Sequence, residues 1–172
     1  DLWKHSLAVA LGSRIIAEKI DSEWVDDAFI AGLLHDAGKL ILDPYVVERK
    51  KAFKKALENG QPKFIDAEKE ILGFDHAEVM SRAVRFWRYP ENQSTAIRYH
   101  HYPSRSDNSE LAFIVHLADF TAKKAGFKSE NGGSAPELEP QTLRYFGFQK
   151  EDLSHIVAEI TASVEKLVIE FQ

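Results

Sequence analysis

Two short words in this chain set pairs of reactive side chains next to each other. GLLHDAGKL (residues 32–40) joins His35 to Asp36, and IRYHHYP (97–103) joins His100 to His101. Three more such residues stand alone in apolar surroundings: His5 in WKHSLAVA, His76 in EILGFDHAEVM and Asp119 in VHLADFTA. The remaining histidines of the seven are His116 and His155. A carboxylate inside an apolar stripe is costly to bury unless something cationic holds it. Imidazole and carboxylate together are ligands that first-row divalent metals accept. Shared metal ions are therefore the economical explanation for this set.

The elements that must bring these residues together read as helices. Helical spacing of apolar residues predicts helices over 2–19, 24–37 and 46–58. A short helix is expected at 64–72, ended by Gly73. Asp75 with Glu78 reads as a capping box opening a helix at 76–87. Pro90 starts a segment running to about His101, and 109–125 forms the next helix. A short helix near 140–146 and a long amphipathic one at 150–170 complete the chain. Gly38 and Gly60 read as helix stops. No segment alternates as a strand would, so the predicted fold class is an all-α, multi-helix bundle with no sheet.

In this reading His35–Asp36 and His100–His101 end their helices, and His76 begins one. Helix ends are places where side chains from several elements can meet. His116 shares a helix face with Asp119 and is expected in a non-ligand role. His155 is expected to be exposed. Glu68 and Glu70 read as a solvated helix face, as do the basic residues Arg49, Lys50, Lys51, Lys54 and Lys55. The tail stripe of Leu153, Ile156, Val157, Ile160, Val164, Leu167, Val168 and Phe171 reads first as core. Its sharper reading is docking through the C-terminal helix, to a missing region or to a second copy in a homodimer.

Composition narrows the rest. With 172 residues and 44% hydrophobic content the chain can bury a proper core. It has no cysteine, which excludes disulfides, zinc–thiolate sites and iron–sulfur clusters and suits a cytoplasmic protein. No apolar run approaches a membrane span. A net charge of −5 argues against general nucleic-acid binding. The start, DLWKHSLAVA, reads as mid-helix, so the chain is expected to be a fragment of a longer protein.

The five words in their order resemble the HD superfamily of metal-dependent phosphohydrolases, and more narrowly its HDOD branch. The likeness runs from residue 1 to about 125, and LEPQTLRYFGF with the final helix also looks like that branch's C-terminal part. The resemblance implies one HD/HDOD-type helical domain over 1–172. It would have a metal core at 1–125, a loop at 126–140 and C-terminal helices at 141–172, and would lack an N-terminal helical region. It implies that His5, His35, Asp36 and Asp119 hold one metal, and that Asp36, His76, His100 and His101 hold a second, with Asp36 bridging. The neighbouring cyclic-dinucleotide-cleaving branch carries a Gly-Tyr-Pro word after its histidine pair. Here the pair runs straight into Tyr102-Pro103-Ser104, which weighs against that activity.

Seven ligand side chains with one bridge fill eight of twelve octahedral positions, leaving four for water and substrate oxygens. Imidazole-rich ligation favours two divalent transition metals, iron or manganese foremost, then cobalt or nickel. Such a pair lowers the pKa of water and clamps a phosphoryl group. Lys39, three residues after Asp36, is expected to orient or neutralise a substrate phosphate. The leading functional expectation is hydrolysis of a small phosphorylated molecule or nucleotide, with Asp36 and Lys39 in catalytic roles. The alternative is a signalling or regulatory module that binds metal or ligand without turnover.

Overall fold

The structure, a computed structural model, describes residues 1–58, 63–129 and 137–170. Helix α1 (Leu2–Lys19) buries Ala8, Val9, Gly12 and Ile16. Helix α2 (Val25–Leu34) lies close across it, because Gly32 has no side chain. A Cβ on Gly32 would stand 2.8 Å from the Val9 carbonyl oxygen and 2.9 Å from Ala10 Cα. Helix α8 (Glu110–Lys124) is the most enclosed element, burying Leu111 through Asp119 without a break. Its start is capped by Ser109, whose hydroxyl accepts the Ala112 N–H. Helix α10 (Lys150–Glu170) packs on α1 and α8 through Ile156, Ile160 and Val164. These side chains each gain about 1.5–3 kcal/mol from burial, so this inner part of the tail stripe is core, as its first reading had it.

A second layer closes over one end of that core. Helix α6 (His76–Phe86) and α7 (Glu91–Tyr99) meet around Met80, Val84 and Ile97. Between α2 and α6 the chain forms α3 (Gly38–Glu48), α4 (Lys50–Glu58) and α5 (Phe64–Leu72). Gly73 ends α5 in the left-handed conformation, φ 85°, as a glycine can at no steric cost. A 3-10 turn at Pro103–Arg105 follows α7, and α9 (Pro140–Phe146) precedes α10. No strand occurs among the described residues, and the fold class is all-α as predicted. No helix of the described residues is long and apolar enough to cross a membrane.

Helix α3 corrects the sequence reading. Gly38 is not a stop but the first residue of this helix, with no positive φ. Its role is close approach: a Cβ there would fall 2.1 Å from the His76 carbonyl oxygen. Pro44 lies inside α3 on an exposed face, where the Leu40 carbonyl it leaves unpaired can meet water. The helix expected at 46–58 is divided at Arg49, and α2 ends at Leu34, three residues before the predicted boundary. The capping box at α6 is half formed. Asp75 accepts the Glu78 N–H at 2.7 Å, but the Glu78 carboxylate turns to Arg82 and Arg98. Gly60, Phe171 and the centre of the 126–140 loop lie outside the described residues.

Candidate metal centre

Each candidate ligand is delivered by a helix or a helix end. His5 faces inward from the first turns of α1, and Asp119 from α8. His35 caps the C-terminus of α2 and Asp36 follows in the turn to α3. His76 is the first residue of α6, and His100 caps α7 with His101 next. The two close-contact glycines flank the His35–Asp36 turn. Gly32 lets α2 press on α1, bringing His35 to His5, and Gly38 lets α3 press on α6, bringing Asp36 to His76.

The seven side chains expected from the sequence converge. Asp36 stands between two groups with its oxygens divided between them. Its Oδ2 lies 3.5 Å from His5 Nε2 and 3.6 Å from His35 Nε2, and its Oδ1 lies 3.2 Å from His76 Nε2 and 3.8 Å from His100 Nε2. Asp119 Oδ1 completes the first group, 3.2 Å from His5 Nε2 and 3.9 Å from His35 Nε2. His101 completes the second, its Nε2 3.0 Å from that of His76. Either group, His5–His35–Asp36 or Asp36–His76–His100–His101, has the spacing to hold a metal ion.

The outer ring nitrogens fix which way the lone pairs point. Nδ1 of His5, His35 and His100 donates to the carbonyls of Phe127 (2.9 Å), Gly32 (2.6 Å) and Ile97 (2.7 Å). Nδ1 of His76 donates to Glu68 Oε2 at 2.5 Å. In the neutral ring this leaves Nε2 without a hydrogen and facing the centre, the second-layer pattern of metal-binding imidazoles. His5 Nε2, His35 Nε2, His100 Nε2, Asp36 Oδ1 and Asp119 Oδ1 are buried with no hydrogen-bond partner. Left so, each would cost about 1–3 kcal/mol or more. The donor set fits a cation at that point.

Without metal, the charges settle unevenly. Burial works against a proton on His5, but the neighbouring carboxylates of Asp119 and Asp36, which favour the charged ring, overcome it and raise its pKa to about 9. Burial brings His35 down to about 4 and holds His100 and His101 well below the usual histidine range. Burial would raise both aspartates, yet Lys39 beside Asp36 and Lys123 beside Asp119 hold them well below the carboxylate range.

Two participants, Glu68 and Lys123, were not assigned from the sequence, and a third, His116, was expected in a non-ligand role. Glu68, expected on a solvated face, is fully buried and also accepts the His76 N–H at 3.1 Å. The reversal at Gly73 brings α5 back to the start of α6. Lys123 sits with its Nζ 2.6 Å from Asp119 Oδ2; the i,i+4 spacing was the available signal. His116 is a strut, as a non-ligand. Its Nδ1 donates to the His100 carbonyl at 2.8 Å and its Nε2 accepts the Glu139 N–H at 3.0 Å. Lys39 Nζ bonds Asp36 Oδ2 at 2.5 Å. Glu70 and His155 are exposed, as expected.

An all-helical bundle that gathers buried histidines and aspartates from several helices defines a class that sequence comparison makes definite. Residues 1–103 match the HDOD domain family, and the chain belongs to it. No curated protein matches the chain. Among solved structures it is similar to a "Putative signal transduction protein" from Marinobacter aquaeolei VT8 (20% identity, TM-score 0.79, 99% of this chain and 38% of that one). It is also similar to a "Putative phosphohydrolase" from Shewanella amazonensis SB2B (23%, TM-score 0.70, 94% and 59%). A third is an HDOD domain protein of unknown function from Geobacter sulfurreducens (23%, TM-score 0.65, 98% and 59%). At these identities the likeness is one of fold. The chain spans less than two thirds of each of these solved chains.

Proposed function

We propose that the chain is a metal-dependent phosphohydrolase acting on a small phosphorylated molecule or nucleotide. The observation that carries this reading is the set of buried, partnerless nitrogen and oxygen atoms facing one another across Asp36. His5, His35, Asp36 and Asp119 would hold one divalent ion, and Asp36, His76, His100 and His101 the other, with iron or manganese preferred by so many imidazoles. Such ions supply Lewis acidity and an activated water at neutral pH. The chain's own residues do the rest. The Nδ1 hydrogen bonds orient the rings, Glu68 increases the basicity of His76, and Asp36 keeps the two groups in register. Lys39, with its side chain 11% exposed, can leave Asp36 Oδ2 for a phosphate oxygen once a cation takes that carboxylate.

A second reading is a regulatory module that retains the ions for structure or sensing. It is supported by the similarity to a protein described as acting in signal transduction. One experiment separates the two. The purified protein, reconstituted with manganese or iron, is assayed for bound metal and against phosphomonoesters and phosphodiesters. The hydrolase reading expects about two equivalents of metal and turnover of one class. Metal without turnover selects the module. In Asp36→Ala both equivalents and all turnover should disappear together; activity surviving that change would refute the bridge.

A further inference from the structure

Both aspartates of the first group carry a lysine. Lys39 Nζ is 2.5 Å from Asp36 Oδ2, and Lys123 Nζ is 2.6 Å from Asp119 Oδ2. The two lysines come from different elements, the start of α3 and the last turn of α8. Their side chains are 11% and 21% exposed, against 2% for Asp36, 8% for Asp119 and none for His5 and His35. They therefore stand on the solvent side of the first group, where a ligand would arrive.

We propose that Lys123 is a specificity-determining residue that pairs with Lys39 to grip a terminal phosphate, so that the site selects phosphomonoesters over phosphodiesters. This inference rests on the hydrolase reading for its metal ions and deepens it by naming the substrate class. Glu68, Asp36 and Asp119 carry three negative charges, against two on the lysines. Two divalent ions turn that balance to about three positive charges. A phosphomonoester brings nearly two negative charges and three free oxygens at neutral pH, while a diester brings one charge and two free oxygens. Two divalent ions with a single lysine could serve the diester. A second ammonium group at the mouth finds a use in the extra oxygen and extra charge of the monoester. A carboxylate whose charge is drawn to a metal ion holds an ammonium group less tightly, so Lys123 is released as the site fills.

The test uses the manganese-loaded protein and inorganic phosphate as the probe. Calorimetry on Lys123→Gln should show phosphate binding weakened by about 10–100-fold, the range for losing a hydrogen bond between charged groups, with metal content unchanged. Lys123→Arg should recover most of the affinity. The preference for p-nitrophenyl phosphate over bis(p-nitrophenyl) phosphate in kcat/KM should narrow by about tenfold in Lys123→Gln. Unchanged phosphate affinity with full metal content would overturn the proposal, leaving Lys123 as a neutraliser of Asp119. Loss of metal in both variants would overturn it too, by making the lysine a support for the ligand. If the unsubstituted protein binds metal and phosphate yet hydrolyses nothing, the hydrolase reading fails, and the calorimetry still judges the grip.

Discussion

His5 and Asp119 project from α1 and α8, whose Ala8, Val9, Leu117 and Ala118 lie in the larger hydrophobic core with α10 behind them. His76 and His100 stand at the ends of α6 and α7, which share a smaller cluster of Met80, Val84 and Ile97. The first group brings a carboxylate of its own and two lysines. The second brings imidazoles around the Asp36 oxygen that it shares, with Glu68 one layer out. Buried apolar area sets how readily a region opens. The difference teaches that the second group depends on precise seating of its helices, whereas the first is held by the body of the protein and governed by charge.

The most damaging way to break that contrast is at Gly38. In Gly38→Ala the added methyl meets the His76 carbonyl and must push α3 away from α6. A loss of about 3 kcal/mol is expected, read as a lower urea midpoint, and the metal equivalent at His76 should go before that at His5. Equal loss from both groups would erase the distinction drawn above. A subtler probe is Glu68→Gln, which keeps the shape but weakens the hold on His76 Nδ1. Affinity for one of the two metal equivalents should fall by about 10–100-fold, and a metal titration that remains superimposable on the parent's would dismiss the residue's role.

The mildest probe is pH, and it addresses the first group. In the folded, metal-free chain His5 keeps its proton to about pH 9, against 6.5 when unfolded. The stability it contributes is complete below 6.5 and is lost as pH rises to 9. His35 runs the other way: its pKa falls to about 4, so its contribution is present above 6.5 and lost as pH falls to 4. The melting temperature of metal-free protein should therefore peak near pH 6.5. Metal bound through His5 Nε2 leaves no proton there to lose, so the alkaline decline should vanish in loaded protein. His76, also raised by Asp36 and Glu68, adds to the same decline, so persistence of the decline would remove His5 or His76 from the ligand set.

Much of this was legible from residue order. Periodicity marked α1 and α10, and Gly73 and Asp75 marked the passage from α5 to α6, because those signals act within a few residues of where they sit. The convergence of the histidines was readable because polar side chains interrupting apolar stripes need a common explanation. Helix α3 was hidden because Gly38 and Pro44 carry the composition of a break. What the glycine answers to is a carbonyl on another helix, which no local pattern reports. Glu68 was passed over for the same reason. Its partner is eight residues away across a reversal, and an isolated glutamate on a helix looks the same whether it faces water or an imidazole.

The glycine pair around the His35–Asp36 turn has one more consequence. Gly32 and Gly38 set the gaps between α1, α2, α3 and α6 by close contact, Gly32 against Ser13, Val9 and Ala10 and Gly38 against the His76 backbone. Shape and chemistry are thus inherited through different positions. Over evolutionary drift, a descendant could exchange every imidazole and keep this architecture, or keep every imidazole and forfeit the centre through a single extra methyl group.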